Sequence, residues 1–252
     1  CHDGSMLSAG APDIFSALNK PGTSKEAPSG SFFEMSKPES QVYGHNPVDC
    51  GIPMDAILGL TPPGSTSPMT KFTCGSCHDP HGGPKMCNSF RLLRKKPGNY
   101  SGADLEVSGF EAVIATDGLM LPQTATNHNV YKAGFSKWCA ACHSNYLGSG
   151  NAGIHNTADG ASPWYKHPSD LKLSLETGAN YGPDTDFKLP LMDSAYSSTI
   201  SAEPRVNGKV FCLSCHKAHA SEFLDGCRWN NGATQGYDPA AANCQRCHNK
   251  GG

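Results

Sequence analysis

The chain has no run of 18 apolar residues anywhere in its 252, so it offers no transmembrane helix. Aromatic residues are scarce at 8%, and only 37% of the chain is hydrophobic. A conventional apolar core is hard to assemble from so little, and something other than side chains is expected to fill the interior. An excess of charge of one sign is also missing. The formal net charge is -2, which removes the electrostatic case for nucleic acid or an acidic membrane surface as a partner. The first residues lack the basic stretch and following apolar stretch of a signal peptide, so an exported form is expected to have had its signal removed.

What the chain has instead is glycine and proline, 28 and 19 residues, and 12 cysteines. Eight of the cysteines fall into four copies of one pattern: Cys74-Gly75-Ser76-Cys77-His78, Cys139-Ala140-Ala141-Cys142-His143, Cys212-Leu213-Ser214-Cys215-His216 and Cys244-Gln245-Arg246-Cys247-His248. C-x-x-C-H is the attachment signature of haem c. Two thiols add across the vinyl groups on one porphyrin edge, and the next residue brings its imidazole to the iron. One tight turn holds all three groups against a single haem. Zinc is the competing reading, since two CxxC pairs can make a four-cysteine site. A zinc ribbon has no need of a histidine directly after each second cysteine, and all four pairs have one. The motifs predict four covalently attached haems, with His78, His143, His216 and His248 as proximal ligands.

Seven further histidines remain among the 11: His2, His45, His81, His128, His155, His167 and His219. They exceed the four needed to give every iron a second imidazole, and two strong nitrogen ligands close an iron and favour electron transfer. The methionines, Met86 and Met120 among them, are the alternative ligands, with gap-filling as their plain role. His81 and His219 each follow a proximal histidine by three residues, a rise of about 4.5 Å along a helical turn. Two rings so close on one element cannot clamp opposite faces of one porphyrin, so each is expected to reach a neighbouring haem; the plain alternative is a propionate contact. His45 and His167 sit on turns and are candidate distal ligands. His155 and His128 are balanced against a solvent-facing loop or propionate role. His2 is an ordinary terminal residue or a donor.

Residues 1–70 hold no motif and read as an extended haem-free arm, as Thr61-Pro62-Pro63-Gly64-Ser65 suggests. Phe32, Phe33, Met35, Ile52, Met54, Ile57 and Leu58 recur along it, so the arm is expected to lie on something apolar, with packing between subunits as its role. Residues 71–252 form the tetrahaem body. The motifs are spaced too unevenly for a solenoid repeat. Short helices are predicted at Tyr131–Cys142 and around Val210–Phe223, and a short strand at Gly109–Thr116. The expected fold class is a multihaem cytochrome c, mostly coil with a few short helices and little strand, wrapped around a stacked haem chain. Cys1, Cys50, Cys87 and Cys227 are left over, enough for up to two disulfides in an exported chain. A lipidated Cys1 is a further reading.

The series Gly44-His45-Asn46, Cys74 to Gly82 with His81, Phe135-Ser136-Lys137-Trp138 before the second motif, Lys166-His167-Pro168, Cys212 to Ala220 with His219, and the closing fourth motif resembles the OmcE and OmcS family of outer-surface multihaem cytochromes. The similarity runs over roughly residues 40–250 in matching order, and four haems place the chain closer to the OmcE type. The resemblance implies two histidines on each iron and a continuous haem chain alternating between parallel and T-shaped pairs. It also implies head-to-tail assembly of copies into an extracellular filament, reached by export through the periplasm, with one iron taking its distal histidine from the adjacent subunit. That donor maps onto His2 or His45. External acceptors or other redox proteins would be the remaining partners. Two other readings stand beside the filament: a multihaem reductase with one open iron, and a monomeric periplasmic shuttle.

Overall fold

The computed structural model describes residues 2, 13–16, 27–33, 35, 43–65, 67–111, 124, 127–147, 154–155, 165–166, 169–172, 189–195 and 207–230. Regular structure within them is sparse. There are three short helices, α1 (Cys74–Cys77), α2 (Phe135–Ala140) and α3 (Cys212–Cys215), each at an attachment motif. The strands pair two by two and antiparallel: β1 (Ser108–Phe110) with β2 (Val130–Ala133), β3 (Ile154–His155) with β4 (Tyr165–Lys166), and β5 (Leu171–Lys172) with β6 (Lys209–Val210). Met192 joins two of these pairs, bridging Tyr131 of β2 on one side and Lys209 of β6 on the other.

Both helices read from the sequence are shorter than expected, for identifiable reasons. In the first segment, the β1 ladder claims the backbone of Val130–Ala133. Gly134 then breaks the chain with φ +89°, and a Cβ there would lie 1.9 Å from the Glu106 carbonyl oxygen. Only glycine tolerates both the left-handed conformation and the close approach. The second segment keeps one turn. His216 becomes extended, at φ -113° and ψ 153°, and pairs with Cys227. The strand expected from Gly109 begins at Ser108 and ends at Phe110.

Two small apolar clusters hold these pieces. One gathers Phe90, Val107, Tyr131, Phe135, Met192 and Phe211, with Leu93, Trp138 and Leu213 packed against it. Its aromatic rings meet edge to face, Phe135 at 5.1 Å from Phe90 and 5.0 Å from Tyr131, while Tyr131 lies 5.0 Å from Phe211. Such contacts add stability beyond buried area. Phe135 opens α2 and Phe211 immediately precedes α3, so this cluster fixes the second and third motifs against each other. Phe135 is 2% exposed, and Phe135→Ala is expected to cost about 3–5 kcal/mol, measurable by chemical denaturation.

The other cluster contains Phe32, Met35, Ile52 and Ala220. Phe32, Met35 and Ile52 of the first 70 residues are thus buried against the third motif's own chain. Gly44 pairs with Ala220, and the Val48 N–H donates to Phe72 O at 3.0 Å. Met54, Ile57 and Leu58 are exposed. No disulfide joins Cys50, Cys87 or Cys227 to another cysteine among the described residues, and Cys1 lies outside them. No helix among the described residues is long and apolar enough to cross a membrane.

Candidate haem-ligation site

The first and third motifs are built alike, bond for bond. In α1 the Thr73 N–H donates to Ser76 Oγ at 3.0 Å, and in α3 the Phe211 N–H donates to Ser214 Oγ at 3.1 Å. The serine inside each motif therefore satisfies a donor at the helix start. The His78 N–H donates to Cys74 O and the His216 N–H to Cys212 O, at 2.9 and 3.1 Å. A returning segment then lies along each motif. Arg94 N–H reaches Cys77 O and Arg228 N–H reaches Cys215 O, at 2.8 and 2.9 Å; Asp79 N–H donates to Leu92 O, and Lys217 N–H to Gly226 O. The unequal loops that follow each proximal histidine hide this duplication from a search for a fixed period. The repeated C-x-S-C-H-x-x-H string was its one local signal.

Each returning segment enters through a turn of two left-handed residues, Arg91 and Leu92 at φ 49° and 52°, and Asp225 and Gly226 at φ 59° and 64°. Leu93 N–H donates to Phe90 O, and Cys227 N–H to Leu224 O, closing the two turns. Asp-Gly is a favoured pair for such a turn, whereas Arg-Leu is not, and the left-handed conformation costs a non-glycine residue about 1–2 kcal/mol. Glu111 offsets that cost by accepting the Arg91 N–H at 2.5 Å and approaching its guanidinium at 3.5 Å.

All three described proximal histidines have Nδ1 bonded to a backbone carbonyl. His78 Nδ1 donates to Arg91 O at 2.7 Å, His143 Nδ1 to Pro63 O at 2.8 Å and His216 Nδ1 to Asp225 O at 2.8 Å. A carbonyl can only accept, so Nδ1 carries the proton and the lone pair is left on Nε2. That is the tautomer a metal requires, and a second-shell acceptor of this kind orients the ring. His45 Nδ1 is held the same way by Ala218 O at 2.6 Å. The Pro-Pro-Gly stretch read as part of an extended arm thus carries the carbonyl that holds His143.

The rings also come together in pairs. His219 faces His78 with 6.3 Å between ring centres, and His45 faces His143 at 5.9 Å. Two metal–nitrogen bonds of about 2 Å each, plus the ring radii, give roughly 6 Å between imidazoles on one metal. The donor set and its spacing fit a haem iron between each pair. His219 is fixed by its N–H to Ser29 O at 2.7 Å and by stacking on Phe32 at 4.7 Å. Burial pushes the His219 imidazole down to about 3 and His143 to about 4, with neighbouring histidines adding to each shift, and burial also lowers His45 and His78. All four are therefore neutral at physiological pH.

His45, which the resemblance maps as a possible donor to a neighbouring subunit, faces His143 of its own chain. The His45 N–H is tied to His219 O at 2.9 Å, which fixes its backbone against the third motif. His81 is exposed, with its N–H on Asp79 Oδ1, and no ring contact joins it to a proximal imidazole among the described residues. His2 is exposed and close enough to His78 to perturb it. His128 is buried, with Nδ1 bonded to Thr124 O at 2.8 Å. His155 contributes its backbone to β3, while His167, His248, Cys244, Cys247 and Met120 lie outside the described residues.

The motifs themselves converge. Cys139 of the second meets Cys212 of the third in a thiol–thiol hydrogen bond, and Cys77 of the first lies near Cys142 of the second. Trp138 Nε1 donates to Arg94 O at 2.7 Å, binding α2 to the first motif's returning segment. Among the described residues, one group of metal-capable side chains draws within ligand distance of each other: Asp49, Cys50 and Cys74. Cys50, unassigned by the sequence, places its sulfur 3.3 Å from that of Cys74.

The fold is that of a multihaem c-type cytochrome, mostly coil with short helices at the motifs, and such proteins bind haem c covalently. The chain is homologous to C-type cytochrome OmcS of Geobacter sulfurreducens, at 26% identity over 76% of this chain and 56% of that protein. It therefore spans little more than half the length of that relative. Among solved structures it is similar to the outer membrane cytochrome S filament of the same organism, with TM-score 0.56 and 22% identity over 88% of this chain and 72% of that one. A cryo-EM structure of OmcS nanowires matches over the same shares at TM-score 0.50 and 19% identity. No protein-family model matches the chain.

Proposed function

We propose that this chain is a tetrahaem electron carrier that polymerises head to tail into an extracellular filament for long-range electron transport to external acceptors. The observation that carries the reading is the pairing of His219 with His78 and of His45 with His143 at ring spacings suited to one iron each. Bound haem would supply one-electron chemistry at an iron closed on both faces, a state suited to electron transfer and unsuited to substrate binding. The chain's part is to hold the imidazoles oriented, with Nε2 left free for the iron.

In this proposal Cys74 and Cys77, Cys139 and Cys142, Cys212 and Cys215, and Cys244 and Cys247 form the thioethers. His219 completes the first site and His45 the second. His81, His128, His155, His167 and His2 are the candidates for the third and fourth sites and for a ligand passed between subunits. The similar solved structures are filaments, which supports self-assembly and an outer-surface location. A head-to-tail contact that does not close extends without limit, as a wire requires.

Intact-mass measurement of the native protein should give four haem additions, and negative-stain microscopy should show filaments. A different haem count would end the tetrahaem assignment. Four haems on a particle that stays monomeric at all concentrations would leave a carrier and remove the wire.

A further inference from the structure

The two left-handed turns pose a question that haem attachment alone does not answer. Attachment needs a helical turn with two cysteines and a histidine, and α1 and α3 already supply it. Yet behind both motifs the chain returns and makes the same unusual turn, once with the favourable pair Asp225-Gly226 and once with the unfavourable pair Arg91-Leu92. Strained backbone persists where the surroundings over-determine it, and such positions cluster at functional sites. Here Glu111 holds the Arg91 N–H and guanidinium, and Asn129 Oδ1 accepts from Arg91 Nη2 at 3.3 Å. The first residue of each turn carries the carbonyl that accepts the proximal Nδ1–H, Arg91 for His78 and Asp225 for His216.

We infer that Arg91 and Asp225 are positioning residues whose left-handed conformation aims a carbonyl at the proximal histidine and thereby lowers the reduction potential of the haem bound there. A carbonyl accepting from Nδ1–H makes the imidazole a stronger donor. A stronger donor favours the ferric over the ferrous ion, and second-shell hydrogen bonding is one of the protein's means of setting haem potential. Two turns of different sequence arriving at one geometry argue that the carbonyl's aim is what both preserve. His143 takes its acceptor from Pro63, outside any such turn, so the device belongs to the first and third sites. The inference rests on the haem reading of the motifs.

The test is a spectroelectrochemical titration of the holoprotein carrying either Asn or Val at each position. Arg91→Asn and Arg91→Val both remove the cation, and Asp225→Asn and Asp225→Val both remove the carboxylate, so each pair shares its change in charge. Asparagine accepts the left-handed conformation, and a β-branched valine resists it. Relative to its asparagine counterpart, each valine variant should raise one of the four potentials by about tenfold in the ferric–ferrous equilibrium, about 59 mV for one electron. The other three should stay in place. Coincident titrations for the Asn and Val variants, with all four haems attached, would overturn the positioning role and leave the haem reading intact. Absence of haem from the first or third motif in the unaltered protein would instead strike the haem reading. If a valine variant fails to mature, an experimental holoprotein structure decides the matter. Arg91 O and Asp225 O on the proximal Nδ1 atoms uphold the role, and carbonyls turned elsewhere refute it.

Discussion

His219→Ala is expected to leave four haems attached and one iron open to carbon monoxide. Thioether formation uses the motif cysteines and not the His219 imidazole, so it has no reason to fail. The ring, however, faces His78 at 6.3 Å and stacks on Phe32 at 4.7 Å. Its loss also removes the stacking contact with Phe32. The reduced protein should gain a carbon monoxide adduct equal to one haem in four. His216, three residues earlier in the chain, should keep its own iron unchanged. An adduct at the third haem, or none at all, would show that His219 does not serve the first motif.

Deleting residues 1–45 is expected to produce a larger change, opening the second site and loosening the first. All attachment cysteines lie beyond residue 70, so four haem additions should survive. His45 disappears, and His143 loses the ring that faces it at 5.9 Å. Ser29 and Phe32 go with it, and these are the groups that hold His219. Phe32 and Met35 also stop covering Ala220 and Ile52, a loss of about 1.5–3 kcal/mol for each large side chain. Carbon monoxide should therefore report more than one site, with His45→Ala alone reporting the second only. Identical responses from the deletion and from His45→Ala would mean that residues 27–35 contribute nothing to the first site.

The four motifs made the attachment chemistry legible, because C-x-x-C-H is a local string whose spacing is its geometry. The expectation that His219 and His81 serve haems other than their neighbours' rests on one helical offset. His219 lies 6.3 Å from His78, while His81 makes no ring contact with a proximal imidazole among the described residues. Other features depend on contacts remote in sequence, which no local pattern encodes. Nothing near His45 announces that Ala218 and His219 will hold it. Gly134 carries no local sign that Glu106 will crowd it. Asp225-Gly226 was a readable turn signal, but its counterpart Arg91-Leu92 has no such signature and depends on Glu111, twenty positions away. Of the apolar residues in the first 70 positions, Phe32, Met35 and Ile52 are buried as expected, whereas Met54, Ile57 and Leu58 are exposed. Which surface buries the first three was not readable.

The pairing of His78 with His219 also bears on how the protein is made. A proximal histidine comes with its own cysteines, and haem can be attached as soon as a motif emerges. The ring that faces His78 arrives only after residue 200, and the one that faces His143 waits from residue 45. Contacts so distant in sequence form late, because loop closure must be achieved before they repay it. A chain emerging from its N-terminus would thus carry half-ligated, chemically reactive irons until its last third had folded. Completion of the first site would therefore report that the chain has arrived at least as far as the third motif.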